Sequence, residues 1–320
     1  MRAIGQRYFL KVAPASDAIA ARVEVLLVDT AFDISKKWLS KEMISKMPKL
    51  KLIQSTRAGV DSVDFDNIPN NITVCGNIGA YSDQIAEHAF GMILYFARNI
   101  GISLQNLKNG VWEIPKTSIF LKGKTIGVVG AGGIGQACAR LAKCFEMRTL
   151  GVNTSGKPAR NFDRTFKLGN SDYIFSNSDV IVIATPLSVK TFHLIDSRRL
   201  RQMKDNCILI NVARGFVIDE KALFEHLKEH PNFRAGLDVW WRYPTGAGEK
   251  FSQDYPFFEL PNFLGTPHDS GIVPETEEIA VLSAIGNIER FMKGRPLKGV
   301  TDRSHYEGLK RLIARARREA

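Results

Sequence analysis

The chain has 320 residues, of which 44% are hydrophobic and 24% are charged, with a formal net charge of +11. This composition is typical of a folded globular protein and excludes a largely disordered chain, and at roughly 150 residues per domain the length predicts two domains. The longest apolar runs, such as 125–130 and 179–184, are far shorter than the roughly 20 residues of a membrane-spanning helix, so we expect no membrane partner.

The positive charge raises the question of nucleic-acid binding. The basic residues are spread along the chain, and no stretch interleaves them with aromatic residues as a single-strand binding surface would. The densest basic cluster lies on one edge of a C-terminal helical pattern whose other face is apolar: Arg311, Arg315, Arg317 and Arg318 against Leu309, Leu312 and Ile313. This pattern favours a solvated helix face over a binding arm, and we expect no nucleic-acid partner.

The N-terminal segment carries Arg2 and Arg7 but has no uninterrupted apolar stretch before Lys11 and no small-residue cleavage pattern. We therefore expect an unprocessed, cytoplasmic protein. The four cysteines, Cys75, Cys138, Cys144 and Cys207, lack C-x-x-C spacing. They suggest neither a disulfide framework nor a zinc site, and no metal is expected.

The first third of the chain alternates short apolar strands with helical segments, which predicts a parallel sheet. The predicted strands are 25–28, 50–53 and 72–74, and the predicted helices are 35–47 and a long one from 82 to about 107. Gly110, Pro115 and Gly123 then mark a linker.

A second and stronger βαβ series begins at Thr125. Its predicted strands are 125–130, 148–152, 179–184, 207–212, 234–239 and 262–265, and its predicted helices are 134–145, 219–229 and 274–293. The sequence therefore predicts an α/β protein with two doubly wound parallel-sheet domains.

Within this series, the segment 130–135 has the spacing G-x-G-x-x-G, follows an apolar strand and opens a helix. In this context Gly130 permits the tight turn, Gly132 lets a pyrophosphate approach the backbone, and Gly135 lets the helix pack on the strand. The N-terminus of the helix offers free N–H groups and a positive dipole end to the phosphates. The alternative is a structural turn without a ligand.

The next strand ends without the carboxylate that would bind the adenosine ribose of NAD. Asn153 stands at that point, followed by Thr154, Ser155 and Lys157, with Arg160 beyond them. Hydroxyl groups and cations suit a 2′-phosphate, so the sequence favours NADP over NAD. The alternative is an exposed loop that happens to lack an acid.

Seven stretches together resemble the NAD(P)-dependent D-2-hydroxyacid dehydrogenase family, which includes glyoxylate/hydroxypyruvate reductases, glycerate and phosphoglycerate dehydrogenases and, more distantly, formate dehydrogenase. They run in family order: AGVD at 58–61, AEH at 86–88, the glycine fingerprint, TPL at 185–187, NVARG at 211–215, GLDV at 236–239 and TPH at 266–268. The resemblance implies a flavodoxin-like substrate domain at 1–96 and 282–320, a Rossmann cofactor domain at 97–281, and a substrate cleft between them.

The resemblance also implies the main catalytic residues. Arg214 matches the family arginine, whose planar guanidinium suits a substrate carboxylate and the neighbouring ketone oxygen. His268 matches the family proton donor, because an imidazole can deliver and recover a proton near neutrality. Ala58 and Gly59 match the loop whose backbone binds the substrate carboxylate, and the preceding Arg57 is either a second cation or solvated.

By the same match, further residues are expected to contact the cofactor. They are Gly133 and Ile134 of the fingerprint, Thr185, Pro186 and Thr191 on the adenosine side, Val212 and Ala213 near the nicotinamide, Asp238 at its carboxamide, and Gly271. The family also implies a homodimer formed through the cofactor domain, to which the segment 111–121 could contribute.

The chain departs from the family pattern at Tyr243, which stands where a glutamate pairs with the catalytic histidine. A tyrosine can hydrogen-bond an imidazole but supplies no negative charge near neutral pH. Three interpretations follow: another acid such as Glu249 or Asp254 takes over, the enzyme works best at lower pH, or activity is weak. Formate oxidation is a fourth, ranked low because the rest of the loop does not follow that subfamily.

The sequence thus predicts an oxidoreductase that reduces a small 2-oxo acid, such as glyoxylate or hydroxypyruvate, or oxidises the corresponding D-2-hydroxy acid, glycerate for example. The rival hypothesis is a dinucleotide-binding regulatory protein with little turnover, which Tyr243 favours and the retention of Arg214 and His268 opposes.

Overall fold

The computed structural model describes residues 17–30, 38–244 and 249–319. Its contacts divide the chain into two compact units, each built from two stretches of sequence. The first unit comprises Met1–Asn77 and Ala284–Thr301, and the second comprises Ile78–Ser283 and Asp302–Ala320.

The first unit contains a three-stranded parallel sheet in the order β1-β2-β3. Its strands are β1 (Val25–Val28), β2 (Leu52–Ser55) and β3 (Thr73–Cys75), and its helices are α1 (Asp17–Ala20), α2 (Lys41–Ser45) and a 3-10 turn at Phe65–Asn67. All four residues of β2 are buried, as expected for a central parallel strand. Helix α2 begins after Ser40, whose hydroxyl accepts the Met43 N–H, so the predicted helix 35–47 is shorter; residues 35–37 lie outside the described residues.

The second unit contains a seven-stranded sheet in which every pair is parallel, in the order β10-β9-β8-β7-β4-β5-β6. The strands are β4 (Thr125–Val129), β5 (Arg148–Asn153), β6 (Arg164–Lys167), β7 (Val180–Ile183), β8 (Ile208–Asn211), β9 (Arg234–Leu237) and β10 (Phe263–Gly265). The predicted strands are confirmed to within two residues at each end, and β6 was not predicted. Strand β6 lies at the sheet edge and has no fully buried residue, so it lacks the apolar run that marks the others.

The helices of the second unit are α3 (Ser82–Ala97), α4 (Ile100–Lys108), α5 (Gly133–Cys144), α6 (Asp172–Asn177), α7 (Ser197–Gln202), α8 (Glu220–Glu229), α9 (Thr276–Met292), which continues into the first unit, and α10 (Leu309–Glu319). The prediction of one long helix from 82 to 107 is wrong. Asn99 adopts a left-handed conformation with φ 52°, which separates α3 from α4.

The core of the second unit forms on both faces of its sheet. On β7, Val180 and Val182 join a cluster with α3 and α5, whereas Ile181 and Ile183 join a second cluster with α6 to α8. Alternate residues of a strand point to opposite faces, so this unbroken apolar strand fills both clusters. Among the described residues, no helix is both long and apolar enough to cross a membrane.

Two segments differ from the domain boundaries expected at 96/97 and 281/282. Helix α3 belongs to the second unit because Ala86, Ala89 and Ile93, all fully buried, pack into its core. Residues 302–320 also belong to the second unit, since Leu309 of α10 is 2% exposed within the cluster that contains α8.

Candidate active site

The site residues of the second unit follow the C-terminal ends of its strands. Strand β4 lies between β5 and β7, so the strand order reverses at β4. Ligands of open α/β sheets bind where the connections diverge in this way, at the carboxyl edge. The glycine fingerprint leaves β4 at this edge, and the segments of Arg214 and His268 follow β8 and β10 at the same edge.

The fingerprint forms a tight turn from β4 into α5. Gly130 has φ 111°, and a Cβ there would lie 2.5 Å from the Ala184 carbonyl oxygen, so only glycine fits. A Cβ at Gly135 would overlap the Gly130 carbonyl oxygen, because helix and strand pack backbone to backbone. Gly132, by contrast, faces open space.

This turn fits the phosphates of a dinucleotide. The open side of Gly132 borders the first turn of α5, whose N–H groups have no partners within the helix. The Ser82 hydroxyl is buried without a hydrogen-bond partner, and a Cβ at Gly133 would lie 2.5 Å from it. A polar group left unpaired beside a glycine-lined approach suits an anionic ligand.

At the end of β5, Asn153 closes its own loop. Its side-chain oxygen accepts the N–H groups of Ser155 and Gly156 at 3.1 and 2.5 Å, and its amide donates to the Lys157 carbonyl at 2.9 Å. This Asx-type turn leaves Thr154, Ser155 and Lys157 exposed. Asn153 therefore shapes the loop, while its neighbours face the solvent.

The turn that follows β7 is held by Thr191. Its hydroxyl donates to the Pro186 carbonyl at 2.7 Å and accepts the Ser188 N–H at 2.8 Å, and the residue is 4% exposed. Thr185 and Pro186 are more accessible. The structure thus places Thr191 as a support of this turn, with its hydroxyl used inside the protein.

Arg214 lies just after β8, in extended conformation, ahead of a 3-10 turn at Gly215–Val217. The Asn211 side chain shapes this segment by accepting the Ala213 N–H and donating to the Arg214 carbonyl, both at 3.0 Å. One guanidinium N–H of Arg214 donates to the Ala213 carbonyl at 2.7 Å. Val212 and Ala213 are buried, so the half-buried Arg214 side chain emerges from a fixed backbone.

Asp238 follows β9 and is fully buried. Its carboxylate accepts the Thr266 hydroxyl at 2.6 Å and the N–H groups of Asp269 and Ser270 at 3.0 and 3.1 Å. The His88 Nε2 atom lies 3.0 Å from the Thr266 hydroxyl oxygen. Because that hydroxyl donates to Asp238, His88 Nε2 carries a proton and is the donor in this pair.

The same network holds the backbone on both sides of His268. Ligand atoms of His88, Asp238 and Asp269 lie within 4.8 Å of one another, close enough to share a cation. Asp238 already accepts three hydrogen bonds within the protein, so we describe the cluster as a hydrogen-bond network. Sequence reasoning singled out Asp238 but missed His88 and Thr266, although both lie in the family-like stretches.

Tyr243 lies beside His268, with ring centroids 5.4 Å apart at 40°. The Tyr243 hydroxyl oxygen accepts the backbone N–H of Trp240 at 3.0 Å. Of the two acids considered as substitutes for the family glutamate, Asp254 pairs with Arg242 at 2.9 Å, and Glu249 is exposed. The aromatic ring of Tyr243 therefore packs against the ring of His268.

A cavity of about 250 Å³ lies between the 3-10 turn after Arg214, the start of α8, and α10. Glu220 lines it and is 8% exposed, with its carboxylate 3.3 Å from the Asp254 N–H. Burial and, to a lesser extent, the neighbouring Asp254 carboxylate together raise the pKa of Glu220 to about 7. Glu220 thus changes its charge near neutral pH.

In the first unit, Arg57, Ala58 and Gly59 follow β2. Arg57 forms a fork-like ion pair with Asp29, with N–O distances of 3.0 to 3.2 Å. The Thr30 hydroxyl donates to the Gly59 carbonyl at 2.8 Å. The cation of Arg57 is therefore matched by a carboxylate, which neither of the two expectations for this residue included.

Comparison with known proteins agrees with this arrangement. Residues 90–270 match the family model described as D-isomer specific 2-hydroxyacid dehydrogenase, NAD binding domain. A D-3-phosphoglycerate dehydrogenase of Methanocaldococcus jannaschii is 33% identical over 82% of this chain, but the match spans only 50% of that protein. A glyoxylate reductase of Thermococcus litoralis is 32% identical over 83% of this chain and 81% of its own length.

Among solved structures, an acyclic imino acid reductase in complex with NADPH and D-Arg is similar with a TM-score of 0.72. It is 26% identical, and the match covers 90% of both chains. The family model covers more than half of this chain, and the relatives match it across four fifths of its length. The chain therefore belongs to the D-isomer specific 2-hydroxyacid dehydrogenases, a family of NAD(P)-dependent oxidoreductases.

Proposed function

We propose that the protein is a reductase of small 2-oxo acids such as glyoxylate or hydroxypyruvate, and in reverse a dehydrogenase of D-2-hydroxy acids such as glycerate. The observation that carries this proposal is the joining of the Arg214 and His268 segments by Trp240 and Trp241. A Cβ at Gly215 would overlap the Trp240 carbonyl and lie 2.6 Å from the Trp241 nitrogen, and the Trp240 indole N–H donates to the Thr266 carbonyl at 2.9 Å.

In this mechanism the nicotinamide, when bound, supplies or accepts the hydride. The Arg214 guanidinium binds the substrate carboxylate and polarises the ketone oxygen. His268 donates a proton to that oxygen as it becomes an alcohol. Asp238 holds the His268 loop in place through its bonds to Asp269 and Ser270.

The proposed coenzyme is NADP, with NAD as the alternative. Fit to a dinucleotide rests on the glycine turn and on the unpaired Ser82 hydroxyl. The preference for NADP rests on the end of β5, where Thr154, Ser155, Lys157 and Arg160 are exposed and Asn153 replaces the acid. Hydroxyl groups and cations bind a 2′-phosphate, which an acid would repel.

The substrate carboxylate is also assigned to the backbone of Ala58 and Gly59. The Thr30 hydroxyl fixes the Gly59 carbonyl, which supports a preorganised loop. Arg57 is assigned a supporting role through its pair with Asp29. Val212, Ala213 and Asp238 remain the proposed nicotinamide neighbours, Thr185 and Pro186 the proposed adenosine neighbours, and Gly271 a further proposed contact of the coenzyme.

A regulatory protein that binds the dinucleotide with little turnover is the second candidate. The observation that favours it is the Tyr243 ring at His268, because a ring gives the imidazolium no compensating charge. Arg214 and His268 favour the enzyme, since a binding protein needs neither.

We further propose a homodimer formed through the second unit. Eight large apolar residues between positions 100 and 120 are exposed: Ile100, Ile102, Leu104, Leu107, Val111, Trp112, Ile114 and Phe120. The side chain of Trp112 has the highest exposure of these, at 87%. Such a concentration is unusual for a monomer surface and suits burial against a second copy.

A reducing compartment such as the cytoplasm is proposed from the cysteines. All four are free thiols, and Cys75, Cys138 and Cys207 are buried. Burial raises the pKa of Cys75 to about 11 and that of Cys138 to about 12, so these thiols act as inert packing groups.

The test is steady-state oxidation of NADPH and NADH by the purified protein with a panel of 2-oxo acids between about pH 5 and 9. We expect turnover with small 2-oxo acids and loss of at least about a hundredfold in kcat/KM in Arg214→Ala, with coenzyme binding retained. Coenzyme binding without turnover of any 2-oxo acid would establish the regulatory candidate. Turnover of formate alone, with NAD or NADP, would replace the proposed substrate class.

A further inference from the structure

Trp240 is 3% exposed and contacts three parts of the candidate site: Tyr243, Thr266 and Gly265. Its backbone N–H donates to the Tyr243 hydroxyl at 3.0 Å, and its indole N–H donates to the Thr266 carbonyl at 2.9 Å. A Cβ at Gly265 would lie 2.6 to 2.7 Å from the indole ring, so glycine at this position makes room for it. The indole thus packs against the end of β10, three residues before His268.

His268 itself has an unusual backbone, with φ 63°. A residue with a side chain rarely adopts this left-handed conformation, and it persists only when the surrounding structure imposes it. Asp238 holds the residues after His268 by accepting the Asp269 and Ser270 N–H groups. Thr266, before His268, is held through its hydroxyl by Asp238 and through its carbonyl by Trp240.

Through these contacts Trp240 holds both His268 and Tyr243. Its indole fixes the backbone that orients His268, and its backbone N–H fixes the hydroxyl end of the ring that packs against His268. The neighbouring Trp241 is equally buried but points elsewhere. Its indole N–H donates to the Ile218 carbonyl at 2.8 Å, and its ring stacks on Phe257 at 5.6 Å and 8°.

We propose that Trp240 is a positioning residue that sets the orientation of His268 and of Tyr243 against it. The expected effect on kcat rests on the proposed function. The expected effect on the orientation of His268 does not, because it concerns the protein without substrate.

The test compares Trp240→Phe with Trp241→Phe. Each variant removes one buried indole N–H bond to a backbone carbonyl and keeps an aromatic ring, so a general loss of stability affects both alike. The first readout is NMR of the ring of His268 in protein labelled at histidine, as a function of pH. Six histidines are present, and His268→Asn identifies the signal of interest.

The second readout is steady-state kinetics. We expect Trp240→Phe to shift the His268 ring signals and its titration midpoint, and to lower kcat about tenfold with KM for the 2-oxo acid changed less than about twofold. We expect Trp241→Phe to leave the His268 signals and midpoint in place. Unchanged His268 signals in Trp240→Phe, or equal changes in both variants, would overturn the proposal.

The two readouts separate this proposal from the proposed function. If the wild-type protein turns over no 2-oxo acid, the proposed function fails. A His268 shift confined to Trp240→Phe would still establish the positioning role. Active wild-type protein with no effect of Trp240→Phe on kcat or on the His268 midpoint would leave the proposed function standing and remove the role of Trp240.

Discussion

The ring of Tyr243 packs against the ring of His268 with centroids 5.4 Å apart. A neutral side chain therefore lies beside the proposed proton donor. Reduction of a 2-oxo acid needs a protonated imidazole, and an imidazolium is stabilised by a carboxylate but not by a neutral phenol. The pH dependence of the reaction is the property most directly affected.

Tyr243→Glu tests this relationship. A carboxylate at this position favours the imidazolium, so reduction should persist to higher pH, with the falling limb of kcat/KM displaced upward by roughly one pH unit or more. Tyr243→Gln is the matched control, because it has the shape of glutamate without the charge and should not produce this displacement. The measurement is kcat/KM for the best 2-oxo acid as a function of pH. If kcat/KM fell at the same pH in Tyr243→Glu and Tyr243→Gln, the electrostatic argument would be contradicted.

Coenzyme preference is tested at the end of β5. Replacing Lys157 and Arg160 together by alanine should raise KM for NADPH roughly tenfold or more and change KM for NADH little, because only NADPH carries the 2′-phosphate. Lys122→Ala is the control. Lys122 precedes β4 and pairs with Glu146, at the opposite edge of the sheet from the end of β5. Similar losses for both coenzymes would refute the assignment of these cations.

The pH dependence of stability is tested at Glu220. Its pKa is raised from 4.5 to about 7 in the folded protein, so the native state binds a proton more tightly than the unfolded state between these values. The contribution of Glu220 to stability therefore falls as pH rises from about 4.5 to 7, by at most about 3 kcal/mol.

Glu220→Gln removes this proton equilibrium. Relative to wild type, the variant should gain stability between pH 5 and pH 8 in urea denaturation. Glu225→Gln, on an exposed position of the same helix, should show no such gain. A constant difference between Glu220→Gln and wild type across this pH range would show that the carboxyl does not titrate there.

The oligomeric state is tested on the exposed apolar segment. Introducing charge with Trp112→Asp and Ile114→Asp should convert a dimer into a monomer, as measured by light scattering after gel filtration, because a buried unpaired charge costs several kcal/mol at an interface. Met292→Asp, on an apolar side chain that is 60% exposed in the first unit, should leave the dimer intact. A wild-type monomer at micromolar concentration would reject the interface.

Sequence periodicity predicted the parallel strands of the second unit because they are buried on both faces and have unbroken apolar runs, as in β7. It did not predict β6, which is half exposed, nor the break at Asn99. At Asn99 a left-handed residue interrupts two helices of similar apolar pattern. A local conformation of this kind leaves no periodic signal.

The candidate site was predictable where a short run of sequence carries the whole feature, as in the glycine turn. The structure shows why glycine is required there, because a Cβ at Gly130 or Gly135 would overlap neighbouring backbone atoms. Contacts that join distant segments were not predictable. His88 meets Thr266 across α3 and β10, and Trp240 meets Thr266 across β9 and β10. Only the folded chain brings these residues together, and a tryptophan in a loop carries no motif.

The interleaving of the two units has a consequence for how the protein is made. Strand β3 is completed by residues that come much later, since the Cys75 backbone bridges to Val300 and the Thr301 N–H donates to the Val74 carbonyl at 2.9 Å. At about 5–20 residues per second, a ribosome reaches residue 300 roughly 10–45 s after residue 75. During that interval the edge of β3 is open to pairing with other nascent chains, so overexpression at low temperature, where synthesis slows further, should lengthen the period in which this protein needs a chaperone.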